Sequence, residues 1–79
     1  QLGCRQRLII RHLGKQDNPV DMKTIARETG LNFSEVKKCS YSLAHKGLIE
    51  STEDLSLTPD GQVMFRLITS VNVWQQGKA

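Results

Sequence analysis

Residues 31–49, LNFSEVKKCSYSLAHKGLI, decide the fold because they combine a well-marked helix start with one narrow apolar stripe. Asn32 can cap a helix, and Glu35 three residues later can reach back to the Asn32 amide. At about 100° per residue, the positions nearest to Val36 on the helix surface all carry small or apolar side chains, namely Cys39, Ser40, Leu43 and Gly47. We therefore predict a helix over about residues 33–46 that buries this stripe.

The opposite face of this predicted helix is polar and basic. It carries Ser34, Lys38, Tyr41, Ser42 and His45, with Lys37 on its flank. Glu35, at the rim of that face, is the one acidic residue in the segment. An exposed lysine pair on a helix is often only a solvated surface, so the function of this face depends on what the rest of the chain places around it.

The N-terminal segment, residues 3–13, predicts a first helix. Leu8, Ile9 and Leu13 have helical spacing there. Gly14 is placed to end the helix in a left-handed cap.

A second helix is predicted over about residues 22–29, because Asp21 just before it can accept hydrogen bonds from the free amides of its first turn. The residues expected on its buried side are Met22, Ile25 and Ala26. Lys23 and Arg27, four positions apart, are expected to point outward. Gly30 then ends the helix.

The sequence after Gly47 changes from helical spacing to alternation. LIES and LSLT each alternate apolar and polar residues, and the TED between them has the length of a hairpin loop. Thr58 can then cap a final helix with Pro59 at its first position, where a missing amide costs nothing. We therefore predict a two-stranded β-hairpin followed by a C-terminal helix.

The final helix carries one apolar stripe, formed by Met64, Leu67, Ile68, Val71 and Trp74. This stripe is expected to pack into the core. Phe65 lies about 100° off the stripe and is expected to mark an interface instead. The segment TSVNVW is β-branched and has poor helix propensity, so regular helix is expected to end near Val71.

Length and composition limit what the chain can be. With 79 residues it has room for one domain, spanning residues 1–79. Because the first residue is Gln, we expect an excerpt of a longer protein. No apolar run approaches the about 20 residues that cross a bilayer, so a cytoplasmic or nuclear location is expected.

Metal, cofactor and enzyme interpretations receive no support from the sequence. The two cysteines and two histidines match no familiar zinc spacing, and two cysteines are too few for a disulfide scaffold. The chain also lacks a glycine-rich phosphate loop, a nucleophile motif and a pair of carboxylates on an apolar face. We therefore expect reduced thiols, no cofactor, no metal and no catalytic activity.

The charge is distributed unevenly along the chain. Residues 1–46 contain nine Lys and Arg against four acidic residues, whereas residues 47–79 contain two against four. The net charge of +3 therefore comes from the N-terminal half. A basic half of this kind is compatible with a polyanionic partner.

The predicted order of elements is helix, helix, short turn, helix, two-stranded hairpin and helix, which is the order of a winged helix-turn-helix, an α+β fold that is mainly α. Residues 22–51, MKTIARETGLNFSEVKKCSYSLAHKGLIES, resemble the second helix, turn, third helix and start of the wing in the winged-helix superfamily, which includes transcription regulators of the MarR group. LTPDG resembles the junction between the wing and the following helix. Members of this superfamily also serve as protein-binding and RNA-binding modules.

The resemblance implies a DNA-binding module of a transcription or genome-maintenance protein, with the third helix in the major groove of double-stranded DNA. The positions that would face DNA are Ser34, Lys37, Lys38, Tyr41, Ser42 and His45, and those that would hold backbone phosphates are Lys23 and Arg27. Lys38 and Tyr41 are the strongest candidates. A homodimer formed through the final helix is also expected, because such regulators commonly read two half-sites.

The predicted wing favours an alternative function. Between Gly47 and Phe65 there is no Lys or Arg, while Glu50, Glu53 and Asp54 cluster on the hairpin. A wing that grips phosphates normally carries a cation, and this one should repel them. The alternative is a winged helix that binds another protein through its acidic wing or its C-terminal helix.

A narrower resemblance concerns residues 36–43, VKKCSYSL. They are similar to the third helix of Z-alpha domains, which bind left-handed nucleic acid, and Tyr41 stands at the tyrosine position of those domains. Lys37 stands where that pattern has Asn, and residues 58–61, TPDG, stand where it has Pro-Pro-x-Trp. These departures remove the groups that recognise the zigzag backbone, so this resemblance is the weaker one.

Overall fold

The computed structural model describes residues 2–16 and 18–78, with side chains up to residue 70. Within these residues the chain forms four helices and two short strands. They are α1 (Cys4–Gly14), β1 (Val20–Asp21), α2 (Met22–Thr29), α3 (Phe33–His45), β2 (Asp54–Leu55) and α4 (Pro59–Lys78). The predicted fold class, mainly helical with a small antiparallel sheet, is confirmed.

Local side chains determine both ends of α2 and the start of α3. The Asp21 carboxylate accepts a hydrogen bond from the Thr24 amide at 2.9 Å, and Gly30 ends α2 with a φ of 83°, in the left-handed region that favours glycine. Asn32 Oδ1 accepts from the Glu35 amide at 2.9 Å, and Glu35 Oε1 accepts from the Asn32 amide at 3.2 Å. The predicted caps of both helices are confirmed.

One hydrophobic core lies between α1, α2, α3 and the hairpin, and α4 packs against α1. Its members are Ile9, Ile10, Leu13, Met22, Ile25, Val36, Leu43, Leu48, Ile49, Leu55 and Leu57. The predicted inward stripe of α3 is confirmed for Val36, Ser40 and Leu43, which are fully buried, and for Cys39, which is half-buried. Gly47 is exposed, because α3 has already ended at His45 and the chain turns there with a φ of 77°. Burial of each such aliphatic side chain contributes about 1.5–3 kcal/mol, which fixes the rotation of α3 about its axis.

Helix α1 differs from its prediction at three positions. Leu8, which was placed on the apolar stripe, is 37% exposed, whereas Ile10, which was not, is fully buried. Gly14 is the last residue of α1 and does not adopt the left-handed conformation. The residue after it, Lys15, caps the helix with right-handed backbone angles. A Cβ atom at Gly14 would collide with the ring of Phe65. Gly14 is therefore needed for close packing of α1 and α4, and not for a turn.

That packing also corrects the prediction for Phe65. Its side chain is half-buried against the core rather than exposed as an interface. The angle of a residue on its own helix does not reveal a groove in a neighbouring helix, and the groove here exists because Gly14 has no side chain.

The predicted hairpin is present, and its returning arm also pairs with a segment before α2. Ile49 bridges Leu57, the Glu50 amide donates to the Ser56 carbonyl at 3.0 Å, and the Thr58 amide donates to the Leu48 carbonyl at 3.1 Å. The returning strand β2 pairs in addition with β1, in antiparallel register Val20 to Leu55 and Asp21 to Asp54. β1 is only two residues long, too short for alternation to predict it.

Helix α4 begins as predicted and extends further. The Thr58 hydroxyl accepts a hydrogen bond from the Gly61 amide at 3.0 Å and donates to the Gly47 carbonyl at 2.6 Å. The helix continues to Lys78, so the predicted end near Val71 is wrong. The poor helix propensity of the TSVNVW segment does not end the helix. No helix in the described part of the chain is long and apolar enough to cross a membrane.

The predicted apolar stripe of α4 is only partly buried. Met64 and Ile68 pack against the core, whereas Leu67 is 56% exposed, which corrects the prediction for that residue. Val63, four residues before Leu67, is 52% exposed. The side chains of Val71 and Trp74 lie outside the described residues.

Candidate nucleic-acid interface

The side of α3 away from the core forms an exposed polar surface, which we call the basic face. It consists of Ser34, Lys37, Lys38, Tyr41 and His45, all of which are exposed. Tyr41 is 52% exposed, so neither its ring nor the two lysines beside it are covered by the domain. The buried stripe on the opposite side holds this face outward, because rotating α3 would bring its cations into the core.

One residue of the buried stripe is polar. Ser40 has no exposed surface, and its Oγ atom has no hydrogen-bond partner among the described residues. A buried hydroxyl without a partner costs free energy on folding. Ser40 therefore packs as a small residue against the core and contributes nothing to the basic face.

Ser42 is placed differently from the other candidates on α3. It is half-buried, and its Oγ atom accepts a hydrogen bond from Gln6 Nε2 at 2.9 Å. Gln6 lies on α1, so Ser42 belongs to the contact between α1 and α3, at the edge of the basic face. The spacing of residues within α3 gave no sign of this neighbour.

A second contact between α1 and α3 involves the acidic residue at the rim. Arg5 Nε lies 2.8 Å from Glu35 Oε2 in an ion pair, with the Arg5 side chain 61% exposed and the Glu35 side chain 30% exposed. Sequence reasoning missed Arg5, because it lies 30 positions from Glu35 and no local pattern links them. As a result, the carboxylate nearest to the basic face is paired with a cation.

Helix α2 adds further positive charge. Lys23 and Arg27 are exposed, as predicted. The hydrogen bonds from Thr24 hold the pKa of the Asp21 carboxyl below its usual value, and the positive charges of Lys23 and Arg27 act in the same direction. Asp21 thus stays ionised as the cap of α2, and the two cations remain available to an external anion.

The wing carries the opposite charge. Glu50, Glu53 and Asp54 are exposed on the hairpin, and the Glu53 amide donates to Ser51 Oγ at 3.1 Å within its loop. No Lys or Arg occurs in residues 48–64. The wing therefore presents a negative surface that follows the basic face directly in the chain.

The cysteines lie beside the α1–α3 contact. Cys4 and Cys39 are free thiols that line one cleft between these helices. Burial raises the pKa of the Cys39 thiol, which keeps it protonated. Among the side chains that the structure describes, no group of three or more from His, Cys, Asp and Glu could hold a metal ion.

Solved structures resemble the chain, although no protein-family model matches it and no curated protein is similar in sequence. A MarR/EmrR family transcriptional regulator from Acinetobacter sp. ADP1 is similar with a TM-score of 0.87 and 21% identity, over 98% of this chain and 57% of that one. A MarR family regulator from Neisseria meningitidis is similar with a TM-score of 0.78 and 21% identity, over 98% of this chain and 59% of that one. The chain thus spans less than two-thirds of the length of either structure.

These similarities agree with the order of elements described above. α2 and α3 form the helix-turn-helix, the hairpin forms the wing, and α4 follows it. The chain has the MarR-like winged helix-turn-helix fold.

Proposed function

We propose that the chain is a DNA-binding module of a transcription regulator and that α3 inserts its basic face into the major groove of double-stranded DNA. One observation carries the proposal: every residue of the basic face is exposed and two of them are lysines, while Val36, Ser40 and Leu43 on the opposite side of the same helix are fully buried. An α-helix fits the major groove, where each base pair presents a distinct set of donors and acceptors. The fold shared with transcriptional regulators supports this use of α3.

Each residue of the basic face has a role suited to its chemistry. Lys38 contacts a phosphate or a guanine edge, and Tyr41 contacts a phosphate through its hydroxyl group or stacks its ring. Ser34, Lys37 and His45 surround them with further donors. Ser42 contributes at the edge of the face through Gln6, rather than as a free reader.

Helix α2 and the wing have opposite effects on the DNA backbone. Lys23 and Arg27 hold phosphates from α2. The acidic wing is repelled by phosphates, so in this proposal it stays clear of the backbone and most of the affinity comes from the helices. The chain then acts where DNA is, in the cytoplasm or the nucleus, as a binding module and not as an enzyme.

Fluorescence anisotropy with labelled duplex DNA at two salt concentrations tests this function. Binding should weaken steeply as salt rises, with a slope set by the number of phosphates that the chain neutralises. Duplexes of unrelated sequence serve as probes, because the phosphate contribution does not depend on sequence. Absence of binding at low salt, or binding that does not respond to salt, would contradict the proposal.

We further propose that the module dimerises through α4. Val63 and Leu67 are four residues apart and both more than half exposed, so they form an apolar strip that the described part of the chain leaves uncovered. The alternative occupant of this strip is a different protein, which the acidic wing would help to select. Sedimentation of the chain alone tests the first occupant, since a chain that stays monomeric has no second copy on α4.

A further inference from the structure

Glu35 occupies a position that the fold requires and that DNA binding disfavours. Its Oε1 atom accepts a hydrogen bond from the Asn32 amide at 3.2 Å, which caps α3. It is also the one acidic residue of α3 and lies three positions before Lys38, so the two are neighbours on the helix surface. A carboxylate at this place caps the helix well, but it also lies beside the face proposed to meet phosphates.

An uncompensated carboxylate there would weaken DNA binding. Charges separated by less than about 8–10 Å are not fully screened at physiological salt, and neighbouring side chains on one helix surface lie well within that distance. The negative charge of Glu35 would therefore repel the backbone and offset the attraction of Lys38.

The α1–α3 contact provides the compensation. Arg5 Nε lies 2.8 Å from the second oxygen of Glu35, so one oxygen of the carboxylate is used by the cap and the other by a cation. The pair has no net charge. Its geometry also directs the carboxylate toward α1, where Gln6 and Ser42 form an independent hydrogen bond.

We propose that Arg5 is a positioning residue of the DNA interface: it neutralises Glu35 and holds its carboxylate against α1, away from the phosphates that the basic face approaches. The inference rests on the proposed function and deepens it, because it extends the determinants of affinity from α3 onto the start of α1. Arg5 acts through Glu35 and makes no contact with DNA of its own.

Five variants, three of the ion pair and two controls, test this role by duplex anisotropy. R5A exposes the Glu35 charge and should weaken binding about three- to tenfold. E35Q keeps an oxygen for the Asn32 amide and removes the charge, so it should bind at least as tightly as the original chain. The double variant R5A/E35Q should recover nearly the original affinity, because the acid that Arg5 masks is gone.

Two further variants control for charge and packing. R5K should restore binding, since a lysine can still pair with Glu35. R7A removes the same charge from the same helix, at an exposed residue whose guanidinium contacts Cys4 Sγ at 3.7 Å, and it should weaken binding less than R5A does. Circular dichroism melting of each variant confirms that the fold is retained, as the buried contacts of α1 remain in place.

The outcomes separate this inference from the proposed function. If the original chain binds duplex DNA with steep salt dependence but R5A/E35Q stays as weak as R5A, Arg5 contacts DNA itself and the inference is wrong. Equal losses in R5A and R7A would overturn it as well, because only net charge would then matter. If the original chain does not bind DNA at all, both proposals fail.

Discussion

The basic face and the wing follow each other in the chain, and both are exposed, yet they carry opposite charges. On α3 the cations Lys37 and Lys38 lie on the surface, and the one acidic residue of the helix is paired with Arg5. On the hairpin, Glu50, Glu53 and Asp54 lie on the surface of a segment that has no Lys or Arg. Exposure alone therefore does not identify the proposed DNA interface, because the charge of one surface attracts a polyanion and the charge of the other repels it.

The largest expected effect concerns the buried side of α3, which keeps the basic face outward. Replacing the fully buried Leu43 by alanine should lower the free energy of unfolding by about 2–5 kcal/mol, through lost burial and the remaining cavity. Tyr41→Ala, on the exposed side of the same helix, is the matched control and should cost less than about 1 kcal/mol. Urea denaturation measures both. Similar losses for the two variants would mean that α3 does not have one buried and one exposed side.

A charge reversal on the basic face tests the other half of the comparison. Lys38→Glu should reduce affinity for duplex DNA by about 100-fold, because an attraction to phosphate becomes a repulsion. Its melting temperature should hardly change, since Lys38 is exposed. Arg66→Glu, an equal reversal at an exposed residue of α4, should have a much smaller effect on binding. Undiminished binding by Lys38→Glu would remove the basic face from the interface.

The unpaired hydroxyl in the buried stripe predicts a gain in stability. Ser40→Ala removes a buried oxygen that has no hydrogen-bond partner in the described structure and introduces the best helix former, so the free energy of unfolding should rise by about 1 kcal/mol. DNA affinity should be unchanged, which separates this side of α3 from the basic face. A loss of stability in thermal or urea unfolding would show that the Ser40 hydroxyl has a partner after all.

The smallest effect is expected at the wing. Glu53→Lys reverses a charge at an exposed position and should tighten binding about threefold, by reducing repulsion of the backbone. The anisotropy assay at low salt is the most sensitive measurement for it. An unchanged affinity would place Glu53 more than about 10 Å from the DNA. A weaker affinity would contradict the expected repulsion between the acidic wing and the phosphates.

The parts of the fold that depend on neighbours in the chain could be predicted from the sequence. Asp21, Gly30 and the Asn32–Glu35 pair define helix ends through contacts that span at most four residues, so their residue types and spacing were sufficient. The two sides of α3 followed from periodicity for the same reason. All five members of the basic face lie where that periodicity placed them, whereas Ser42, which was predicted to lie with them, is half-buried.

The remaining features depend on contacts between distant segments. β1 exists only because β2 passes beside it. Gly14 leaves space for the ring of Phe65 and does not form a turn. Arg5 and Gln6 meet α3 across more than 29 positions, and Ser42 leaves the free surface for that reason. Single-helix geometry contains no information about which residues another helix will cover, so these contacts required the folded chain.

The Thr58 hydroxyl has a mechanical consequence. It is hydrogen-bonded both to the carbonyl of Gly47, two residues after α3 ends, and to the amide of Gly61 in the first turn of α4. The chain leaving α3 and the chain starting α4 are thus clamped together at the base of the hairpin. A tilt of α4 would therefore be transmitted through this joint to the C-terminal end of α3, the helix proposed to enter the major groove.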